Sequence, residues 1–429
     1  MQSNNYLAID LGASSGRLIV SNNEELVEVH RFADYLKNEN GFLVWDIDFI
    51  YQNIIIGLKK AVSKYKNIQS LAIDSWGVDY VLLNNNQVIK PVYSYRDTRT
   101  NESSVAVHNI IPFIDLYKIS GIQYSQFNSI YQLKSDLDHN RLNNVTDFLS
   151  IPEYLSYLLT GKKIKEYTMA TTSGLIDLSN GEYSKDIINK LKLPNHLFPK
   201  VVKPPYLLGS LKEEIVKEIG TNINVIMCAS HDTASAFEAV DVSDDTIILS
   251  SGTWSLIGVK LLQGNNSEDS YKSNFTNEGG VGYIRYLKNI MGMWILNEIR
   301  KITKHSFEEI SQLVNVSNYP EIFDVNDLSL LSPQNMKDAV IKLLSNNPPK
   351  NDGDLYRSVY YSLAHSYLKA CEQLENNLHK KYNNICIVGG GAKNMLLNKI
   401  IEEVTKRKVI ALPIEATAIG NIKVQKLIK

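Results

Sequence analysis

The stretch Asp10-Leu11-Gly12-Ala13-Ser14-Ser15-Gly16-Arg17 lies between the apolar runs Tyr6–Ile9 and Leu18–Val20. It reads as strand, tight turn, strand, with Gly12 and Gly16 free to take positive φ and Ser14, Ser15 and the turn amides exposed. Such a turn makes a concave row of N–H donors and hydroxyls that suits phosphate oxygens, while a carboxylate at the strand end, Asp10, suits a hydrated cation. The stretch is not a Walker A loop, because neither Gly-Lys-Ser/Thr nor a helical pattern follows it. An ordinary hairpin turn is the alternative reading. The chain repeats the device, however: Ile247 to Gly258, IILSSGTWSLIG, is again apolar run, small polar turn and apolar run. Two such hairpins, one opening each half, imply a nucleotide clamped between two similar domains.

A chain of 429 residues exceeds the roughly 100–200 residues of one domain, so two are expected, 1–239 and 240–429. The 44% hydrophobic and 21% charged fractions belong to a globular protein and exclude disordered and fibrous classes. With 45 basic against 46 acidic residues, the chain has no general attraction for nucleic acid or anionic membrane, so phosphate binding must be local. No apolar leader opens the sequence and no run approaches about 18 apolar residues, so neither export nor a membrane span is expected. Cys228, Cys371 and Cys386 are widely spaced, form no metal set, and suit a reducing cytoplasm.

Outward from the first hairpin, Phe42–Asp46 reads as a strand, and Ile50, Ile54, Ile55, Leu58, Ala61, Val62 and Tyr65 fall at helical spacing. Ser70–Asp74 is a buried strand leading into Ser75-Trp76-Gly77-Val78-Asp79, where Gly77 allows close approach of a ligand and Trp76 reads as core. In Tyr95–Arg99 the charges Arg96, Asp97 and Arg99 either form a salt-bridged loop or reach a ligand, Pro152–Leu159 is a helix, and Thr168, Thr171, Thr172 and Ser173 either cap a helix, the expected reading, or bond sugar hydroxyls. Asn224–Ala229 is a strand opening into Ser230-His231-Asp232-Thr233, where small neighbours leave the Asp232 carboxylate accessible; a helix cap is the plain alternative. In the second half, residues 301–354 read as polar with a linker-like break at Pro348-Pro349, followed by a long helix through Leu355, Val359, Leu363 and Leu374. Ile385–Val388 leads into Gly389-Gly390-Gly391, a strand–glycine–helix arrangement suited to an adenosine or phosphate. A Rossmann site fails there, since the third glycine of GxGxxG is missing and too little chain follows.

With these stretches placed, the sequence resembles the FGGY carbohydrate kinases over nearly its whole length. The likeness rests on DLGASSGR, WDID (45–48), DSWGVDYVLL (74–83), YRDTR (95–99), GIQYSQFNSIYQL (121–133), SHDTASA (230–236), LSSGTWSLIG (249–258), TNEGG (276–280), LKNIMGMW (287–294) and GGGAKNMLLN (389–398). WGVD, FNSIYQL and LKNIMG together are similar to the members that act on L-rhamnulose. The resemblance implies an α/β architecture of two RNase H-like domains, as in actin, sugar kinases and heat-shock ATPases, with ATP in the cleft between them. It implies ATP contacts at Ala13, Ser14, Ser15, Gly16, Arg17, Thr253 and Gly391. Asn297, where relatives usually carry Gln, is expected to be a further ATP contact. Asp232 would be the general base, and Gly77, His231, Thr233 and Asn289 would surround the sugar. Magnesium would accompany ATP, held by Asp10 through water. The expected partners are a sugar and ATP, with no nucleic acid and no membrane, for a cytoplasmic monomer or homodimer. Relatives carry a longer tail after Glu415-Ala416-Thr417-Ala418. A kinase for another ketose or deoxyketose, such as L-fuculose or D-xylulose, is the first alternative. A sugar sensor that keeps the fold without the reaction is the second, and the presence of Asp232 speaks against it.

Overall fold

The first hairpin folds as its pattern of apolar runs dictates. In the computed structural model, which describes residues 4–22, 25–412 and 415–428, β1 (Asn5–Leu11) and β2 (Ser15–Asn22) pair antiparallel with Asp10 opposite Arg17. Gly12 N donates to Ser15 O at 3.0 Å to close the turn. Both glycines are free to take a positive φ, and neither does. Gly16 is required for space instead, because a Cβ there would lie 2.5 Å from Phe32 Cζ and 2.9 Å from Leu11 Cδ2.

β3 (Glu25–Ala33), β4 (Ile68–Ser75), β5 (Tyr206–Ser210) and β6 (Asn224–Met227) complete a sheet of order β5-β6-β4-β1-β2-β3. β4 runs parallel to β1, and β6 parallel to β4. Successive side chains of a strand point to opposite faces, so β1 serves two layers. Leu7, Ile9 and Leu11 pack with Ile50, Ile54 and Leu58 of the helix Ile47–Lys64, while Ala8 packs with Ala418 and Ile422 of the helix Ala416–Gln425. Asp46 caps the first of these helices, its carboxylate accepting from Phe49 N at 3.0 Å.

The second hairpin, β7 (Thr246–Ser251) and β8 (Trp254–Leu261), pairs Ser251 with Ser255. With β9 (Ile284–Met291), β10 (Asn384–Val388) and β11 (Lys408–Ala411) it gives the run β9-β8-β7-β10-β11 of a six-stranded sheet, in which β10 is parallel to β7 and β11 to β10. Each sheet therefore has a hairpin at its centre, a third strand beyond the hairpin's second strand, and two parallel strands on the other side.

The chain separates into two compact units, one of residues up to 240 with 260–285 and from 416 onward, the other of 241–259 and 286–415. This division by contacts departs from the contiguous expectation, 1–239 and 240–429, at 260–285 and from 416 onward. The C-terminal helix belongs to the first unit because it closes that unit's sheet: Gln425 Nε2 donates to Leu7 O at 3.0 Å, and Asn421 Nδ2 to Asp74 Oδ2 at 2.5 Å. The polar segment 301–354 folds into the helices Phe307–Val316 and Met336–Leu343, which bury only Ile310, Val314, Met336 and Val340. So few apolar positions leave a faint helical period.

Gly420 sits where the C-terminal helix meets the helix Asp232–Glu238, and a Cβ there would lie 1.7 Å from Ser235 O. Gly420→Ala must push one helix off the other and is expected to cost about 3 kcal/mol of stability in urea titrations. An unchanged midpoint would contradict this packing.

Candidate active site

In the first unit the carboxyl ends of three neighbouring parallel strands converge, the place where open α/β sheets bind ligands. Asp10 and Asp74 are register partners at the ends of β1 and β4. Ser75 bridges to His231, and Ser75 N donates to Ser230 O at 2.8 Å, which brings the segment after β6 to the same end. Asp232 begins the helix Asp232–Glu238. His231 holds the cap position without a side-chain capping bond, so Asp232 is not the helix cap.

Burial lifts the Asp232 carboxyl above the usual range, His231 pulls it back, and the charge of Asp10 lifts it further. Its side chain remains 29% exposed, accessible to a small ligand. Thr233 N and Oγ1 donate to Asp232 Oδ1 at 2.5 and 3.1 Å, and His231 Nε2 lies 3.4 Å from the same oxygen. Gly77 faces this group, since a Cβ there would stand 3.2 Å from Thr172 Oγ1 and 3.3 Å from His231 Nε2. Gly77, His231, Asp232 and Thr233 are thus brought together.

The turn carrying Gly77 is anchored from behind. Val78 takes φ +68°, a costly conformation for a β-branched residue, with Asp79 N donating to Gly77 O at 2.9 Å. Asp79 is the buried post of this turn: its carboxylate accepts from Trp45 Nε1 at 2.6 Å, Trp76 Nε1 at 3.0 Å, Tyr95 N at 3.0 Å and Gln132 Nε2 at 3.0 Å. Burial outweighs these donors and pushes Asp79 up to about 6. Trp76 is core, its ring 4.4 Å from that of Trp45 and stacked on Tyr35. The hydroxyl of Tyr35 donates to Gly12 O, tying the aromatic cluster to the first phosphate-type turn. Arg99 braces Asp136 at 2.9 Å, and Asp97 caps the turn Thr98–Thr100, so both serve the scaffold. The expected threonine cap is corrected too: Glu166 caps the helix Tyr167–Thr171, accepting from Thr168 N and Met169 N.

Of the expected phosphate contacts, Ala13, Ser14 and Ser15 line the first turn, with Ser14 exposed at its tip. Arg17 is engaged in a 2.6 Å ion pair with Asp10. In the second unit, Thr253 stands at the tip of the second hairpin, whose turn is held by Gly292 N to Thr253 O at 3.1 Å and Met293 N to Gly252 O at 2.9 Å. Asn297 lies one turn on in the helix Trp294–Thr303, its backbone N–H donating to Met293 O at 2.9 Å, and Asn289 is half-buried on β9. Gly389 takes φ +81°, and Gly391 is a close-packing glycine, since a Cβ there would lie 2.0 Å from Ser251 Oγ. That proximity joins the glycine turn to the second hairpin.

Sequence reasoning missed Asp74, although the same signal that marked Asp10, a carboxylate ending an apolar strand, was present. Asp74 is fully buried and its carboxyl is raised well above the usual range by burial and by the charge of Asp10, against the lowering bond from Asn421. Its Oδ1 has no hydrogen-bond partner among the described residues. No group of three or more His, Cys, Asp or Glu able to hold a metal occurs among the described residues. Asp10 beside Asp74 nevertheless offers the carboxylate oxygens that a hard divalent ion accompanied by phosphates uses. Because Asp74 holds its proton to higher pH folded than unfolded, ionising it costs stability, and that cost is absent below about pH 4 and grows as pH rises. Asp74→Asn removes the cost, so in urea titrations its stability relative to wild type is expected to rise from about pH 5 to about pH 8. A relative stability that falls over that interval would overturn the assignment.

Residues 5–237 match the N-terminal domain, and residues 247–427 the C-terminal domain, of the FGGY family of carbohydrate kinases. The rhamnulokinase of Oceanobacillus iheyensis is 40% identical over 432 residues, covering 98% of this chain and 92% of that protein. That of Halalkalibacterium halodurans is 41% identical over 434 residues, covering 98% and 93%. Among solved structures, a ligand-bound xylulose kinase from Lactobacillus acidophilus superposes with a TM-score of 0.83 at 17% identity, covering 99% of this chain and 89% of that one. A gluconate kinase from the same organism gives 0.82 at 16% identity, covering 99% and 89%. No helix among the described residues is long and apolar enough to cross a membrane. The chain belongs to the FGGY family of carbohydrate kinases, with that family's two-domain α/β fold.

Proposed function

We propose that this carbohydrate kinase transfers the γ-phosphoryl group of ATP to the 1-hydroxyl of L-rhamnulose, giving L-rhamnulose 1-phosphate and ADP in L-rhamnose breakdown. The observation that carries the reaction is the Asp232 carboxylate, partly exposed at a helix start between Thr233 and His231, whose ring lies beside Gly77. Support for the acceptor comes from relatives named rhamnulokinase at 40% and 41% identity over 98% of this chain.

The sugar hydroxyl oxygen attacks the γ-phosphorus, the bond to the bridging oxygen of ADP breaks, and Asp232 takes the hydroxyl proton. A carboxyl raised by burial is a stronger base than one in water, which suits that step. Gly77, Thr233, His231 and Asn289 would surround the sugar. The amides and hydroxyls of Ala13, Ser14, Ser15 and Gly16 would take phosphate oxygens, as would Thr253, with Asn297 and Gly391 on the nucleotide side. Arg17 would exchange its Asp10 partner for phosphate. That exchange would free Asp10 to hold magnesium through water beside Asp74. When bound, magnesium neutralises charge on the transferring phosphates. Phosphoryl transfer needs alignment more than covalent help, so these positioning roles account for most of the chemistry. We place the reaction in the cytoplasm, where the buried Cys228, Cys371 and Cys386, which form no disulfide, suit the reducing conditions.

A coupled ADP-release assay with ATP and magnesium over L-rhamnulose, L-fuculose and D-xylulose tests the acceptor. Turnover with L-rhamnulose well above the others is the expected result, whereas preference for another ketose reassigns the pocket. Asp232→Asn is expected to lower kcat by about 10²–10⁴-fold with ATP affinity nearly unchanged. Wild-type turnover in that variant would remove Asp232 from the role of base.

A further inference from the structure

The TNEGG block and Arg285, which the proposed reaction does not use, form a buried chain behind Asp232. Arg285 is fully buried, and its Nε donates to Gly279 O at 2.8 Å. Its Nη2 lies 3.1 Å from His231 Nδ1 and 3.1 Å from Glu278 Oε2. His231 Nδ1 is 3.2 Å from the same Glu278 oxygen, while the opposite ring nitrogen, Nε2, faces Asp232 Oδ1 at 3.4 Å. The backbone of His231 is held as well, its N donating to Thr168 Oγ1 at 3.3 Å.

A guanidinium has donors and no acceptor, so a ring nitrogen bonded to Arg285 Nη2 presents its lone pair. In a neutral imidazole the other nitrogen then carries the proton. The opposite tautomer sets an Nδ1–H against an arginine N–H and turns the Nε2 lone pair toward the Asp232 carboxylate, two repulsions in a dry setting, whereas the Nε2–H form sets only the Nδ1 lone pair against Glu278 Oε2 at 3.2 Å.

We propose that Arg285, held by Glu278, is a positioning residue for phosphoryl transfer: its donor occupies His231 Nδ1, so that the ring presents Nε2–H toward Asp232 and the sugar oxygen beside it. This rests on the reading of Asp232 as the base. The Nε2–H then steadies the carboxylate and a sugar oxygen, and no ring lone pair competes with Asp232 for the hydroxyl proton. Arg285 acts through His231 and touches neither the sugar nor the nucleotide.

The test is the protonation pattern of His231 in the full-length, ligand-free protein labelled with ¹⁵N-histidine. Two-bond ¹H–¹⁵N correlations at neutral pH report it, with His231 identified as the ring missing from His231→Asn. The expected pattern is an unprotonated Nδ1 and a protonated Nε2. A protonated Nδ1, whether as the other tautomer or as imidazolium, overturns the proposal from the wild-type spectrum alone, even where a variant fails to fold. Arg285→Met combined with Glu278→Gln, which removes both charges together, is expected to lose the pattern and to lower kcat about 10- to 100-fold with KM for ATP unchanged. Arg285→Lys, still a donor, is expected to recover part of both. A native-like double variant that keeps the wild-type His231 pattern also overturns the proposal. Because the spectrum needs no sugar, it is read separately from the ketose assay and from the turnover of Asp232→Asn.

Discussion

Parallel pairing of β1 with β4 sets Asp10 and Asp74 side by side at a depth where water reaches neither freely. Two carboxylates so placed repel each other and lack hydration, and the surrounding structure supplies what the solvent does not. Arg17 pairs with Asp10 from the opposing strand of the hairpin, and Asn421 donates to Asp74 from a helix nearly 350 residues away in the chain (|i−j| = 347). The C-terminal helix is therefore tied to the first unit by the polar end of its sheet as well as by apolar packing. The same neighbourhood raises the carboxyl of Asp232, so the charge that makes the region costly also makes a better base.

Close packing at glycine is the second recurring device. Gly16 admits Phe32, Gly420 admits the backbone of Ser235, Gly391 admits Ser251, and Gly77 leaves room beside Thr172 and His231. In three of these places a side chain would displace protein; at Gly77 it would also crowd the His231 ring beside Asp232. The opposite expedient occurs at Val78, where a bulky residue is held at positive φ and Ser129 and Gln132 bond its carbonyl at 2.6 and 3.3 Å. An over-determined turn of this sort keeps Gly77 from drifting relative to His231.

Much of the architecture was legible because apolar runs and polar turns report directly on strands and hairpins. Asp10–Arg17 and Ile247–Gly258 could be paired as equivalents from pattern alone, and the helix Asp352–Leu378 showed a clear apolar stripe. The helices inside 301–354 were hidden because each buries so few residues, and the need for space at Gly16 was not legible because it depends on what packs against the glycine. Glu278 and Arg285 stood in or beside blocks already singled out, yet nothing in their spacing indicated that they meet His231.

The sequence by itself determined the two hairpins, the strand ends carrying Asp10 and Asp232, and the family to which those blocks belong, since each is a local pattern of residue type and order. Only the tertiary structure decided that Asp74 shares a site with Asp10, that the C-terminal helix closes the first sheet, and that Arg285 reaches the far side of the His231 ring. Those facts depend on strand register and on contacts between distant segments, and a register or a long-range contact is set by how the whole core packs.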